Sequence, residues 1–339
     1  MPADFSNSNY DAILLVSFGG PEGMDDIIPF LENVLKGRNV PRERMVEVAK
    51  HYELFGGVSP INQNNRNLIS ALKLELDTNG PQLPIYFGNR NWHPLLADTL
   101  GKMRDDRVKT ALAFVTSAYS SYSSCRQYLE NIAHAREAVG PDAPQVEKLR
   151  IFFNHPGFIQ ANVEHVRKEL ETFDEQERAS VHVIFTAHSI PESMAQNCDY
   201  EIQLGETSRL IAEELGVNNW QLVFQSRSGS PMQPWLGPDV CDFLKELGGR
   251  GVKNVVVAPI GFISDHMEVM YDLDLEARQL CEHMGLNMRR AATAGTHPAF
   301  VKMIRELIME RVDPGTPKRF LGALGIAKDA CNERCCPVG

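Results

Sequence analysis

No run of apolar residues approaches the roughly 20 that a bilayer-spanning helix needs, so no transmembrane segment is expected. A secretory leader is not visible either. The early apolar run Ala12 to Val16 is short and follows Asp11 rather than a basic stretch. A cytoplasmic protein is therefore expected. Positive charge is scarce: 34 Lys and Arg stand against 44 Asp and Glu, a net charge of −10. That balance argues against nucleic-acid binding and is compatible with a cationic ligand. No glycine loop is followed by a Walker lysine. Gly19-Gly20-Pro21-Glu22-Gly23 departs from the G-x-G-x-x-G pattern, so a nicotinamide or flavin has little support. Internal repeats are absent. Disulfides are rare in a reducing cytoplasm, which makes the placing of the seven cysteines informative: Cys331, Cys335 and Cys336 lie within the last nine residues.

What is present reads as α/β. A chain of 339 residues is most simply two domains, and 43% apolar with 23% charged residues is ordinary for a globular protein. Strand-like runs are expected at Ala12–Phe18, Pro84–Gly88, Thr110–Thr116, Leu149–Asn154, Ser180–Ala187, Trp220–Gln225, Val252–Ile260 and Met288–Ala294. Amphipathic helical patterns such as Ile159–Phe173 and Glu206–Leu215 alternate with them. This alternation implies parallel sheets covered by helices on both faces, divided four strands plus four. Gly140, Pro141 and Pro144 suggest a seam near 140–148. In doubly wound folds, ligands meet the carboxyl ends of the strands.

One stretch concentrates chemistry at such an end. Val252 to Ile260 reads as a strand buried on both faces. Asp265 is then a candidate helix N-cap, with Glu268 three residues later completing a capping box. The helix beyond carries Glu268, Asp272 and Glu276 at i, i+4 and i+8, with no Lys or Arg between them on that face. An unneutralised acidic stripe at a strand end is a candidate cation site; the plainer alternative is a capping residue on a solvated face. His266 beside the cap and His188 at the end of another strand favour the first reading. A strand-end histidine can accept a proton near neutral pH or ligate a metal. His182 reads as packing, and His93 before Pro94 as a helix-start residue. Phe18, Tyr119 and Trp235 offer aromatic surface near strand ends, and Lys36, Arg38, Arg42 and Arg44 form a basic cluster.

The segments T-A-H-S-I-P (186–191), F-Q-S-R-S-G (224–229), P-W-L-G-P (234–238), G-G-V-S-P-I-N-Q (56–63) and S-D-H-M-E (264–268) resemble the ferrochelatase family, from the first strand to about residue 312. G-N-R-N-W (88–92) and S-A-Y-S-S-Y-S-S-C-R-Q-Y (117–128) are most similar to the actinobacterial-type enzymes. The resemblance implies two Rossmann-like domains, 8–145 and 146–314, with Fe²⁺ inserted into a porphyrin at a cleft between them. It implies His188 as proton acceptor or metal ligand, Glu268 opposite it across the macrocycle, and His266, Asp272 and Glu276 along the metal's path, on a helix with a π-type turn. Hard oxygen donors would hold a hydrated divalent ion without trapping it. Porphyrin is expected to meet Phe18, Tyr119 and Trp235, with Lys36 and Arg38 toward its propionates. Coproporphyrin III is favoured over protoporphyrin IX, although Phe18 replaces the Tyr of some coproporphyrin-using relatives. The resemblance also suggests a [2Fe–2S] cluster on Cys125, Cys331, Cys335 and Cys336, tying residues 315–339 back onto the first domain; zinc is the rival occupant. Cys198, Cys241 and Cys281 read as incidental thiols. A non-catalytic tetrapyrrole carrier, a chelatase for another metal such as cobalt, and a nucleotide-using transferase are the competing readings. Peripheral membrane contact and a monomeric or homodimeric state are all compatible with the sequence.

Overall fold

The run Ala-Ile-Leu-Leu-Val-Ser of strand β1 (Ala12–Ser17) is buried at all six positions, as expected of a strand covered on both faces. It is the inner member of a parallel sheet with β2 (Ile85–Asn89), β3 (Thr110–Val115) and β4 (Gln145–Lys148), in the order β2-β1-β3-β4. A second parallel sheet contains β5 (His182–His188), β6 (Trp220–Gln225), β7 (Asn254–Ala258) and β8 (Asn287–Arg290), in the equivalent order β6-β5-β7-β8. These facts come from a computed structural model that describes residues 9–37, 40–228, 232–330 and 335–337. Among them no helix is long and apolar enough to cross a membrane.

Each sheet belongs to its own unit. The first comprises the chain up to Thr116 with Gln127–Leu149 and Ile304–Pro317; the second comprises Ser117–Arg126, Arg150–Met303 and the chain from Lys318. In the first, Leu14, Val16, Ala111 and Ala113 pack with Leu100, Met103 and Ile132 of the flanking helices. In the second, Ile184, Val255 and Val257 pack with Leu244, Leu247, Leu273 and Cys281.

The expected α/β architecture is observed, with two boundary corrections. The fourth strand is Gln145–Lys148, not Leu149–Asn154. Beyond Leu149, Phe152 and Phe153 are buried, and Phe152 packs edge-on against Phe158 and Phe300 instead of joining a ladder. The seam therefore falls after Leu149. The tail also belongs elsewhere than expected: it packs on the second unit. Buried Asn154 donates from Nδ2 to the carbonyls of Leu321 (3.0 Å) and Gly325 (2.9 Å). The Leu321 amide returns a bond to the Asn154 carbonyl, and the Ala323 amide donates to Glu206 Oε1 (2.9 Å).

Candidate metal and proton-transfer site

Because β5 to β8 are parallel, His188, Gln225, Ala258 and Arg290 end at one edge of the second sheet. The chain leaving β7 stays close to that edge. The Gly261 amide donates to the Thr186 carbonyl (3.0 Å), and a Cβ at Gly261 would sit 2.5 Å from Ala187 Cβ. Only glycine permits that approach. It brings His266 and the helix behind it to the end of β5.

Three groups meet there. Glu268 Oε2 lies 3.7 Å from His188 Nε2 and 3.3 Å from His266 Nε2. His188 Nδ1 is bonded to the Ser189 carbonyl, which fixes the proton on that nitrogen and leaves Nε2 facing the carboxylate. Tyr200, itself buried, donates its hydroxyl to the His188 carbonyl (3.0 Å). Burial lowers the basicity of His188, but the charge and hydrogen bond of Glu268 outweigh it, with smaller help from Ser189 and Asp272, and hold its pKa up at about 9. Burial opposes ionisation of Glu268, yet the two histidines hold its carboxyl far below the usual range. At neutral pH the pair is an imidazolium and a carboxylate.

The sequence placed these two groups on opposite sides of a flat macrocycle. The geometry corrects that. A ring between them needs two van der Waals spacings, about 7 Å, and the observed 3.7 Å leaves no room. As the side chains stand, His188 and Glu268 are direct neighbours with no slot between them. The capping box is corrected as well: His266 occupies the N-cap position of Met267–Val269 without a side-chain cap bond, while Asp265 is held by Arg290 and Thr293.

The helix then widens into a π-helical segment, Met270–Ala277, carrying Asp272 and Glu276. Wider turns bring residues four apart closer to one line. Asp272 is fixed from the end of β6, where Ser226 and Gln225 both donate to its Oδ2, the latter at 3.2 Å. Burial, with the charges of Glu268 and Glu276, pushes its pKa up to about 6 against those two hydrogen bonds. Burial also raises Glu276, against a hydrogen bond from Tyr271. None of the ion pairs recorded among the described residues joins Glu268, Asp272 or Glu276 to Lys or Arg. Nor do three His, Cys, Asp or Glu side chains among those residues close around a single ion. The donors form a file.

The other expected residues divide. Trp235 is half-buried and strapped to the His188 loop: its backbone bridges to Pro191, and Ser189 Oγ donates to the Leu236 carbonyl (2.7 Å). Tyr119 is a core residue, 1% exposed, with its hydroxyl on the Ile260 carbonyl and its ring edge-on to Phe158 and Tyr200. Its expected role as a ligand-facing surface is corrected. In the first unit, Phe18 packs edge-on to Phe30 beneath the Arg90 guanidinium, and Lys36 is exposed. Arg38 lies outside the described residues. Gln225, Ser226 and Tyr200 were given no role by the sequence, although Gln225 and Ser226 lie in the F-Q-S-R-S-G segment that carries the resemblance.

The thiols collect in the second unit. Cys125 and Cys336 are buried, and Cys335 Sγ lies 3.5 Å from Cys336 Sγ. Cys336 takes a left-handed φ of 50°, the turn that lets adjacent sulfurs face one side. Burial, then Cys335, then the charges of Cys125 and Cys198, push the Cys336 thiol well up. A raised thiol stays protonated at neutral pH; what fits a thiolate-bound group here is the closeness of the sulfurs of Cys335 and Cys336. Cys198, read as incidental, stands within electrostatic reach of Cys335 and Cys336. Cys331 lies outside the described residues.

The chain is similar to known proteins of one family. The sequence profile of one family, described as ferrochelatase, matches residues 10–312. A ferrochelatase of Rhodopirellula baltica is 58% identical over 328 residues, covering 96% of this chain and 93% of its own. A coproporphyrin III ferrochelatase of Streptomyces coelicolor is 48% identical over 360 aligned positions, covering 100% of this chain and 96% of its own. Among solved structures, SirB from Bacillus subtilis with Fe³⁺ superposes with a TM-score of 0.56 at 12% identity, covering 89% of this chain and 95% of that one. That last likeness concerns the fold alone.

Proposed function

The chain belongs to the ferrochelatase family, lyases that insert Fe²⁺ into a porphyrin in haem synthesis, and we propose that its porphyrin is coproporphyrin III. The observation that carries the assignment of roles is the Glu268 carboxylate set between His188 and His266 at the head of an acidic file. Support for coproporphyrin III comes from relatives of that name in Streptomyces coelicolor and Streptomyces griseus, each 48% identical over nearly the whole chain.

Metallation must remove two pyrrole protons and strip water from a hydrated ferrous ion. Glu276, Asp272 and Glu268 offer successive hard oxygen donors, each able to replace a water without binding as tightly as thiolate. Asp272, whose carboxyl is raised to about 6, is ionised and open to the dication above that pH and protonated below it. At Glu268 the incoming charge cancels the carboxylate that stabilises the His188 imidazolium. His188, whose side chain is 33% exposed, then releases its Nε2 proton to solvent water and becomes a base able to take one from a pyrrole nitrogen. Metal arrival and proton removal are thereby coupled through one carboxylate.

A [2Fe–2S] cluster on Cys125, Cys331, Cys335 and Cys336 is part of the same proposal. Its support is the gathering of Cys125, Cys335 and Cys336 in one unit. When bound, the cluster supplies a redox-active iron–thiolate cross-link; the chain's own part is to hold 335–336 against the segment carrying Cys125.

Anaerobic incubation with Fe²⁺ and each porphyrin, followed by absorbance, tests the substrate. Faster turnover of coproporphyrin III is expected; faster turnover of protoporphyrin IX overturns the assignment.

A further inference from the structure

The stretch 265–276 holds five carboxylates: Asp265, Glu268, Asp272, Asp274 and Glu276. Three form the file described above. The other two converge on one cation. Arg290, the last residue of β8, donates from Nη1 and Nη2 to the two oxygens of Asp265, each at 3.0 Å. From Nε (2.9 Å) and again Nη2 (3.0 Å) it reaches the two oxygens of Asp274. Its side chain is 15% exposed, against 30% and 29% for its partners. Such a planar fork, bidentate to both acids, suits arginine and not lysine. The two anchoring points lie nine residues apart, one in the turn before His266 and one inside the π-helical segment. Asp274 is two residues from both Asp272 and Glu276, which turns it to the other side of the helix.

We infer that Arg290 is a positioning and charge-sorting residue for the metal path: it withdraws Asp265 and Asp274 from the acidic set and leaves Glu268, Asp272 and Glu276 to the cation. The inference rests on the reading that this file carries Fe²⁺. Without Arg290, both carboxylates beside the file lose their bidentate partner, with Arg278 still 3.9 Å from Asp274 and the Thr293 hydroxyl still on Asp265, and their freed oxygens open a site for a second divalent ion. The anchored turn that aims His266 and Glu268 would also be released.

The test uses the full chain. Arg290→Met, Arg290→Lys and the charge-balanced Arg290→Met/Asp265→Asn/Asp274→Asn variant are titrated with Mn²⁺ by electron paramagnetic resonance, without porphyrin. Initial rates of metallation are then measured with Fe²⁺ and porphyrin varied in turn. Removal of a group that orients metal-binding residues typically costs 10–100-fold in affinity or activity. The expected result for Arg290→Met is a KM for Fe²⁺ raised about 10-fold, an unchanged KM for porphyrin, and one added equivalent of bound Mn²⁺. Arg290→Lys, with one donor point in place of a fork, lies between. The charge-balanced variant, which also serves if Arg290→Met does not fold, returns to the Mn²⁺ count of the unaltered chain. A fall in kcat and melting temperature with KM for Fe²⁺ and Mn²⁺ count both unmoved overturns the inference. So does an extra Mn²⁺ equivalent in the charge-balanced variant. The Mn²⁺ count needs no turnover, so a failure of the unaltered chain to metallate porphyrin would sink the proposed reaction and leave the sorting to be judged by binding.

Discussion

Replacing Glu268 by Gln keeps the shape of the side chain and removes the charge on which His188 depends. In the intact site the imidazole is held up at about 9 from an ordinary 6.5, which corresponds to about 3–4 kcal/mol at roughly 1.4 kcal/mol per pH unit. The side chains are 33% and 45% exposed, so solvent screening reduces the contribution to stability to about 1–2 kcal/mol. A histidine whose pKa is raised on folding contributes its full stability below the unfolded value and loses it as pH climbs through the folded one. The pair's contribution is thus complete below pH 6.5 and is lost as pH rises through about 9. In Glu268→Gln the remaining large influence is burial, which drives His188 to 6.5 or below. Two-dimensional NMR of the histidine Cε1–H resonances, with His188 identified by its loss in His188→Gln, reads this directly. Urea unfolding at pH 6 should show the variant less stable by about 1–2 kcal/mol, with the gap closing at higher pH. A His188 that titrates near 6.5 in the unaltered chain, or at the same pH in both proteins, refutes the coupling.

Further consequences follow from neighbouring contacts. Asp272 must shed its proton to meet a cation, so KM for Fe²⁺ should rise as pH falls through about 6; Asp272→Asn should flatten that dependence, and an unchanged slope would show that another group titrates. Protein purified without oxygen should be coloured and carry iron and sulfide in equal amounts, and Cys125→Ser should be colourless; colourless unaltered protein without sulfide would remove the cluster. Asn154→Ala strips both side-chain bonds to the tail and leaves the Leu321 and Gly325 carbonyls without that donor. A stability loss of about 1–3 kcal/mol and faster proteolysis after residue 318 are expected, whereas protease resistance equal to the unaltered chain would show that the tail is held elsewhere.

Much of this was legible before any coordinates. Valine-rich β7 and the apolar β1 announce strands buried on both faces, and alternation with helices announces parallel sheets. The β4 error has a physical cause. Leu149–Asn154 is the more apolar run, but its phenylalanines belong to a cluster with Phe158 and Phe300. The true edge strand alternates exposed and half-buried residues, because only β3 pairs with it. Within the site, His188, His266, Glu268, Asp272 and Glu276 were readable from strand ends and helical spacing. Arg290 was not: its partners lie 16 and 25 residues away, and nothing local marks it. The capping-box reading of Asp265 failed for the same reason, since a tertiary cation outcompeted the local amides. Cys198 reads as incidental in the sequence because its relation to Cys335 and Cys336 exists only once the tail has folded back.

Single-turnover metallation by His188→Ala puts the coupling of carboxylate and imidazole to its most direct trial. With porphyrin binding followed by fluorescence and insertion by absorbance, the variant should bind coproporphyrin III within a few-fold of the unaltered chain while inserting Fe²⁺ about 10²–10⁴-fold more slowly. Insertion at a near-normal rate with binding intact would contradict the account.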